Sequence, residues 1–452
     1  MNKRLLVLLF FGVLMGALDI AILGPAMPAI QKAFAVSPRQ IAWVINIYVL
    51  TNILSTPVLS KLSDLYGRRI IYISSVFLFA LGSLVIVLSG QFDQVLVGRG
   101  IQGLGAGGFL PVASAVIGDT FPKEKQGRAL GFIGAVFGLA FIVGPVIGGL
   151  LLMLSWHWIF ILNLPMSVAL IIGALTIVPS KQMEENVKFD WLGMSLLLVI
   201  LGLFSFSINM IDTKNFVASV SSVRVFPLLT VSLGLLPLFI MSQKKSGSPT
   251  INTGLFRSRQ LIIAYLISFG AGLGEVGVMF IPGYVRSAFG LSDSAASFSL
   301  IPLVAALFVG APVAGRMLDK FGARIILILG TVLVFFGLVG IWKVADTKTG
   351  FYISEVILGT GLAAVLGAPL RYIVNHETSD DDRASGQGVL TIFMSIGQLV
   401  SAALVGALAA SLGGGIPGFK GAFSVLAAMS LIMIVAATRL NRKEVKVSVK
   451  SS

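Results

Sequence analysis

Long apolar stretches alternate with short polar ones along the whole chain. A helix that crosses a membrane needs about 20 mostly apolar residues, and fourteen stretches meet that requirement. Each is continuously apolar, whereas a transmembrane β-barrel would show strands of about ten residues with alternating character. The pattern therefore predicts an all-α polytopic membrane protein. The predicted spans 1 to 14 cover residues 5–30, 40–60, 70–91, 95–118, 128–153, 157–178, 191–211, 224–242, 260–285, 294–315, 325–342, 351–373, 385–411 and 421–438.

The composition agrees with a membrane protein and excludes several kinds of site. Of the 452 residues, 56% are hydrophobic and only 12% are charged, and the mean hydropathy is +0.97. The chain has no cysteine and two histidines, His157 and His376, far apart in the sequence. This excludes a thiolate metal site and argues against a histidine-rich metal centre. We therefore expect no metal and no cofactor.

The distribution of basic residues predicts the orientation. A net charge of +14 would suggest nucleic-acid binding in a soluble protein. With the N-terminus inside the cell, however, 24 of the 33 Lys and Arg residues fall in cytoplasmic segments and eight fall outside. Short cytoplasmic loops of membrane proteins carry such an excess of positive charge. We therefore expect a multi-pass protein of the cell inner (plasma) membrane with both termini cytoplasmic, and no nucleic-acid partner.

Two predicted cytoplasmic loops repeat one pattern. Residues 63–69 read SDLYGRR between spans 2 and 3, and residues 318–324 read LDKFGAR between spans 10 and 11. The Asp and Gly of the two loops are both 255 residues apart, so spans 7 and 8 interrupt a repeat of six helices. Parallel repeats are one architecture of secondary transporters, with the substrate site between the halves. The predicted units are an N-terminal six-helix bundle (1–180), two inserted helices with their links (181–259), a C-terminal six-helix bundle (260–440) and a basic tail (441–452).

Five short motifs follow one another in the N-terminal half. Residues 60–69 (SKLSDLYGRR) lie between spans 2 and 3, 99–105 (RGIQGLG) in span 4 and 138–149 (GLAFIVGPVIGG) in span 5. Residues 18–28 (LDIAILGPAMP) lie in span 1 and 156–163 (WHWIFILN) at the entrance of span 6. Together they resemble the motifs of the major facilitator superfamily, specifically its fourteen-span drug:proton antiporters of the multidrug and tetracycline exporter type. One departure is Ser60, which stands where that family usually has glycine. The resemblance implies the major facilitator fold of two six-helix bundles plus two inserted helices.

The resemblance also implies a conformational latch at the cytoplasmic face. A carboxylate is stabilised by a basic partner and by a helix N-terminus, and such a latch would hold the outward-open state and break when the cavity faces inward. The alternative, an inert determinant of topology, explains the arginines but not an Asp and a Gly in both loops. The latch residues would be Asp64, Gly67, Arg68, Asp119, Asp319 and Arg324.

In span 5 the resemblance implies an extracellular seal between the two halves. Glycine lets helices approach closely, and proline permits a kink where neighbouring helices satisfy the backbone. Plain close packing, which needs the same glycines, is the alternative. The seal residues would be Gly138, Gly144, Pro145, Gly148 and Gly149.

Three ionisable residues lie well inside predicted spans: Asp19, Arg99 and Glu275. Such residues cost about 2.5–3.5 kcal/mol each at mid-membrane, so we expect them to act in transport. Asp19 and Glu275 occupy nearly the same depth in the first helix of each half, and Arg99 is the expected partner of Asp19. We assign Asp19 and Arg99 to proton coupling, and Glu275 to coupling and to recognition of a cationic substrate. The alternatives are a helix–helix hydrogen bond for Asp19, a water-filled vestibule without coupling for Glu275 and a purely structural role for Arg99.

Polar and soft apolar side chains on the same helices are candidates for the substrate site. Aromatic and methionine side chains suit an amphiphilic ligand. For any one of them, core packing or contact with lipid is the alternative. Beside Glu275, the predicted lining comprises Asn46, Tyr48, Gln102, Phe109, Met279 and Gln398.

These features lead to one predicted function. We expect a monomeric, proton-coupled secondary active exporter of amphiphilic, cationic small molecules that works by alternating access. Export of a lipid or an endogenous metabolite on the same fold is the alternative. An integral-membrane enzyme would need catalytic groups clustered at a bilayer face, and the sequence offers no such cluster. The chain is therefore not expected to be an enzyme.

Overall fold

A computed structural model describes residues 3–36, 38–41, 43–180, 190–212, 215–247, 249–291, 298–345, 347–380, 382–412 and 415–441. Within these ranges the chain is helical and contains no strand. Helices α1 to α14 carry the numbers of the predicted spans, and a helix broken into two pieces keeps one number. Their bounds are α1 Lys3–Phe34, α2 Trp43–Tyr66, α3 Arg68–Val87, α4 Phe92–Ala106 and Phe109–Thr120, α5 Lys123–Leu152, α6 His157–Ile161 and Asn163–Ile177, α7 Trp191–Asn209, α8 Phe226–Lys245, α9 Arg259–Met279 and Ile281–Phe289, α10 Ile301–Phe321, α11 Ala323–Lys343, α12 Lys348–Leu366 and Ala368–Glu377, α13 Arg383–Ser411, and α14 Gly415–Thr438.

The predicted fold class is confirmed. Thirteen helices among the described residues are long and apolar enough to cross a membrane. Helix α5, which is 30 residues long, covers the remaining predicted span. Three short helices lie between these elements, at Pro38–Ile41, Phe216–Val220 and Thr253–Arg257.

Several helix ends differ from the prediction. Helix α10 begins at Ile301 and ends at Phe321, so Asp319 lies in its last turn and not in a loop. The first residues predicted for this span, 294–297, lie outside the described residues. Helix α4 is interrupted at Gly107 and Gly108, where it lies so close to α2 that a Cβ atom on Gly107 would be 2.7 Å from the carbonyl oxygen of Asn52. Hydropathy reports neither detail, because it marks the apolar stretch and not the residue at which a helix ends or is interrupted.

Two hydrophobic clusters form the core. The first is built mainly from helices α1 to α6, and the second mainly from α9 to α14 together with α7 and α8. The two groups of helices meet where α5 packs against α10 and where α2 and α4 pack against α13. The two six-helix bundles are therefore separate cores that touch along a few helices.

The inserted helices lie to one side of these contacts. Helix α7 packs against α2 and α13, whereas α8 packs mainly on α7 and is largely exposed. Asp190 joins the pair, because it accepts hydrogen bonds from the backbone N–H of Gly193 (2.9 Å) and from Nε2 of Gln243 (2.7 Å). One short polar cluster thus links the start of α7 to the end of α8.

Candidate functional site

The first candidate site is a buried ion pair in the N-terminal bundle. Arg99 of α4 donates a hydrogen bond to Asp19 of α1, and the two residues form a salt bridge. Their exposed fractions are only 0% and 2%. A buried charge is tolerated when it is paired and hydrogen-bonded, and these two residues satisfy each other. The expected partnership between them is present in the structure.

Amide side chains complete this ion pair. Asn163 of α6 donates to Oδ1 of Asp19 (3.1 Å), and Gln102 donates to the same oxygen (3.3 Å). Gln102 also accepts from Arg99 (2.8 Å) and donates to Ser83 of α3 (2.7 Å). We call Asp19, Ser83, Arg99, Gln102 and Asn163 the buried network. It joins four helices of one bundle around a single pair of charges.

Three residues predicted for the cavity lining lie instead in the packed interior of this bundle. Gln102 belongs to the buried network. The guanidinium carbon of Arg99 lies 4.3 Å from the ring centre of Tyr48, a cation–π distance. Phe109 packs against Phe79 with ring centres 5.4 Å apart. The correction has a simple cause: all three are on spans that were predicted correctly, but hydropathy does not tell which face of a helix turns toward its neighbours.

The second candidate site is a carboxylate in the C-terminal bundle. Glu275 of α9 accepts a hydrogen bond from Nε2 of Gln398 on α13 (2.9 Å), and both residues are half-buried. Among the described residues Glu275 forms no salt bridge, in contrast to Asp19. A cation from outside the protein could therefore bind beside this carboxylate without breaking a described salt bridge.

The other predicted lining residues are placed only in part. Asn46 is half-buried on α2, a helix that packs against α13, which carries Gln398. The side chain of Met279 lies outside the described residues. Asn46, Glu275 and Gln398 remain the polar candidates for a site between the halves.

The loop motif lies at one end of the molecule, which we call the motif face and define by Asp64 and Asp319. Asp64 of α2 forms a salt bridge with Arg68 of α3. It also accepts hydrogen bonds from the backbone N–H groups of Ala384 (3.0 Å) and Ser385 (2.7 Å) and from the Ser385 hydroxyl (2.6 Å). A carboxylate at a helix N-terminus is stabilised by the orphan N–H groups and the helix dipole. Asp64 thus fastens α13 of the other bundle to α2.

Asp119 adds a second link between the bundles on the same face. Its Oδ2 lies 2.9 Å from Nε of Arg68, the partner expected from the sequence. Its other oxygen accepts a hydrogen bond from Arg383 at the start of α13. Arg383 also pairs with Asp380 (2.6 Å), whose side chain is 84% exposed. Two arginines and three carboxylates, Asp64 included, therefore link α2, α3, α4 and α13.

Asp319 makes the corresponding contact from the C-terminal bundle. It accepts hydrogen bonds from the backbone N–H groups of Gly127 and Arg128 in the first turns of α5, both at 3.0 Å. In each half, therefore, the aspartate of the loop motif binds the start of a helix in the other half. Arg324 forms no salt bridge among the described residues.

Both loop glycines adopt a backbone conformation that other residues rarely reach. Gly67 has a φ of 94° and Gly322 a φ of 80°. A side chain with a Cβ atom is strained at such angles. Each glycine allows one helix to follow another directly. At Gly67 this brings Asp64 at the end of α2 within reach of Arg68 at the start of α3.

The glycines of α5 serve two different contacts. A Cβ atom on Gly138 would lie 2.7 Å from the Cα atom of Phe308 in α10, so this position faces the other half. Gly144 and Gly148 instead pack against Ala21 and Ile22 of α1 in the same half. Gly149 has open space around its Cα atom, and the side chain of Pro145 lies outside the described residues.

A close contact between the halves was missed by sequence reasoning. Gly127 and Gly131 of α5 face Gly315 of α10, and a Cβ atom on Gly315 would lie 2.9 Å from the Cα atom of Gly131. Small residues at such crossings let two backbones touch. The GxxxG spacing of positions 127 and 131 was the available signal.

One fully buried carboxyl group was left out of the predicted site. Glu355 of α12 is 0% exposed, and neither carboxylate oxygen has a hydrogen-bond partner in the part of the chain that the structure describes. The predicted span began at 351, four residues before Glu355, and the helix itself starts at Lys348. Its depth in the C-terminal bundle corresponds to that of Arg99 in the N-terminal one.

Because Glu355 has no polar partner, we expect Glu355→Leu to leave the protein as stable or to stabilise it by about 1–3 kcal/mol. Among the described residues no group donates a hydrogen bond to the Glu355 carboxyl group, so its removal leaves no donor without a partner. Thermal unfolding of the purified protein in detergent measures the effect. A clear loss of stability would show that the carboxyl group is satisfied by a partner.

Comparison with known proteins identifies the family. The model of the Major Facilitator Superfamily matches residues 9–311 and 261–452. The chain belongs to the Major Facilitator Superfamily. Members of this superfamily are transporters and not enzymes, so the chain is a multi-pass membrane transporter with a small-molecule substrate, as the sequence predicted.

Similar proteins support the same assignment. YfiU of Bacillus subtilis (strain 168), an uncharacterized MFS-type transporter, is 33% identical over 404 residues, which are 88% of this chain and 77% of YfiU. The multidrug transporter protein MdtP of the same organism is 27% identical over 419 residues, 90% of this chain and 75% of MdtP. The solved structure of the human organic anion transporter MFSD10 aligns with a TM-score of 0.72 at 15% identity, covering 96% of this chain and 99% of MFSD10. That likeness supports the fold, and the sequence relatives support a transporter of the multidrug type.

Proposed function

We propose that the protein is a proton-coupled exporter of amphiphilic, cationic small molecules that works by alternating access. The motif face would lie in the cytoplasm, together with both termini, and the protein would act as a monomer in the cell inner membrane. The proposed units are those predicted: bundles 1–180 and 260–440, the inserted helices 181–259 and the tail 441–452. The observation that carries the proposal is the presence of one partnered and one accessible carboxylate in opposite bundles.

The buried network is the proposed proton-coupling site. Arg99 pairs with the Asp19 carboxylate, and the amides of Gln102 and Asn163 donate hydrogen bonds to it. A movement that separates α1 from α4 would break these contacts, and a proton would then take the place of Arg99 on the carboxylate. Proton binding would thereby be linked to a conformational change.

Glu275 is the proposed recognition group for the charge of the substrate. Its only described polar contact is a neutral amide, that of Gln398, so a cation could replace water beside it without breaking a salt bridge. An unpaired carboxylate in a half-buried position favours a cationic ligand over a neutral one. Names of relatives that refer to multidrug transport are consistent with a loosely defined amphiphilic substrate.

The proposed cycle uses both ends of α5. On the motif face, Asp64, Asp119 and Asp319 hold the two bundles together. Toward the other face, Gly144 and Gly148 allow α5 to lie close to α1, and Gly138 lies against α10. The seal proposed for this end would therefore involve α1 and α5 moving as one body against the C-terminal bundle.

Transport in proteoliposomes tests the function directly. The protein should exchange protons for lipophilic cations when a pH gradient is imposed, and dissipation of the gradient should stop net transport. A panel of cations, neutral drugs and lipids identifies the substrate class. Movement of lipids or metabolites alone would favour the alternative exporter, and transport that ignores the pH gradient would contradict proton coupling.

For substrate recognition we expect Glu275→Gln to weaken transport of cationic substrates by about tenfold or more and to spare neutral ones. The amide keeps the shape and the contact with Gln398 but removes the charge, and interactions with charged groups contribute about 1.5–3 kcal/mol. Uptake of one cationic and one neutral substrate by each variant measures this difference. Glu377→Gln, which removes a carboxylate near the motif face, is the matched control. Equal loss of both substrates would contradict the assigned role.

A further inference from the structure

A groove opens at the motif face between α1, α5 and α10. It has a volume of about 330 Å³, and its walls include the apolar side chains of Leu6, Val7, Phe132 and Pro312. Val7 and Phe132 are large hydrophobic residues with exposed fractions of 46% and 37%, respectively. All these residues belong to segments that cross or enter the membrane, so the walls of the groove suit an acyl chain.

Three cations complete the lining of this groove. Lys3, Arg128 and Arg316 contribute to it, and each of the three residues is exposed. Among the described residues none of their side chains forms a salt bridge, whereas Arg68 and Arg383 nearby are both paired with carboxylates. The described lining contains no acidic side chain. Three exposed cations, none of them in a salt bridge among the described residues, therefore stand over an apolar cleft, with the Asp319 carboxylate beside Arg128 but outside the lining.

We propose that this groove binds one anionic phospholipid. The phosphate would lie among the three cations and the first carbons of an acyl chain against the apolar walls. Basic pockets between transmembrane helices are known to bind lipid head groups, and each basic side chain near an anionic surface adds to the attraction. A soluble anion would satisfy the charges alone, whereas a phospholipid satisfies both parts of the groove.

The position of the groove gives the lipid a further effect. Lys3 and Arg128 belong to the N-terminal bundle and Arg316 to the C-terminal one, so the bound lipid bridges the two halves. The backbone N–H of Arg128 donates to Asp319 (3.0 Å), which lies one turn after Arg316. When the halves separate on the motif face, the groove loses one wall. A lipid that binds only the closed form stabilises that form by mass action.

Binding is tested with the purified full-length chain by native mass spectrometry. Phosphatidylglycerol and phosphatidylcholine with identical acyl chains are compared, and inorganic phosphate is added as a competitor. We expect selective retention of one phosphatidylglycerol, and a loss of about 30-fold in its affinity in Arg128→Gln/Arg316→Gln. The matched control is Lys244→Gln/Lys245→Gln, which removes the same charge from exposed positions of the protein away from the groove.

Each outcome decides the proposal. Equal loss in both double variants would show a diffuse charge effect, and displacement by millimolar phosphate would show an anion site without a lipid; either result overturns the proposal. Unchanged thermal stability in phosphatidylcholine ensures that the variant is folded. The binding measurement involves no transport, so its failure is distinguishable from a failure of the proposed exporter function.

The conformational effect is tested with a cysteine at Ser60, a residue that is 0% exposed beneath the motif face. The chain contains no other cysteine, so a maleimide reports this position alone. We expect slower labelling in phosphatidylglycerol vesicles than in phosphatidylcholine vesicles, and no such difference in Arg128→Gln/Arg316→Gln. Equal labelling of the parent protein in both lipids would overturn the bridging effect.

Discussion

Asp19→Asn should abolish proton-driven transport of every substrate and also destabilise the protein by about 3–5 kcal/mol. The second effect follows from Arg99, which is 0% exposed and would lose its only described carboxylate partner. The amide groups of Gln102 and Asn163 can accept or donate hydrogen bonds but cannot neutralise the charge. Thermal unfolding in detergent and uptake driven by a pH gradient measure the two effects.

A double variant separates the structural role of Asp19 from its role in coupling. In Asp19→Asn/Arg99→Gln both charges of the pair are gone, so neither is left buried without its partner. Replacing a whole buried ion pair by neutral groups is often tolerated, so we expect most of the lost stability to return. Transport driven by protons should remain absent. If the double variant recovered both stability and pH-driven transport, the ion pair would be a structural element without a role in coupling.

Much of this architecture follows from the physics of the bilayer. Fourteen apolar stretches were recognisable because a lipid-exposed segment must be long, apolar and helical. The pair of Asp19 and Arg99 was predictable for a related reason, since an unpaired charge at that depth is too costly. Glu355 lies four residues inside its predicted span, as Arg99 does in span 4, but it was not included in the predicted site.

Other features depend on information that the local sequence does not carry. Asp64 binds Ala384 and Ser385, which are more than 300 positions away in the chain, and no pattern around position 64 indicates this partner. Tyr48 and Gln102 were assigned to the cavity because polar residues in a membrane helix suggest a polar environment. Inside the bundle, Arg99 provides that environment. Hydropathy gives the depth of a residue along its helix, whereas the face that it occupies is decided by packing.

The loop motif supplies the other large expected effect. Asp64→Asn should slow transport by about tenfold or more while changing substrate affinity by less than about twofold. The carboxylate accepts four hydrogen bonds, from one guanidinium, two backbone N–H groups and one hydroxyl, and hydrogen bonds to a charged group are worth about 1.5–3 kcal/mol each. Removal of the charge weakens these four hydrogen bonds. The conformational equilibrium then shifts toward the form that is open on the motif face. None of the described hydrogen bonds of Glu275 and Gln398, the proposed substrate residues, involves Asp64.

The matched control is Asp380→Asn, which acts in the same charge cluster. Asp380 pairs with Arg383, but its side chain is 84% exposed, and exposed ion pairs contribute only about 0–1 kcal/mol. This variant should therefore transport at nearly the normal rate. Maleimide labelling of Ser60→Cys should become faster with Asp64→Asn and stay slow with Asp380→Asn, because only the former releases α13 from α2. A loss of substrate affinity as large as the loss of rate, or equal labelling in the two variants, would mean that Asp64 does not hold the bundles together.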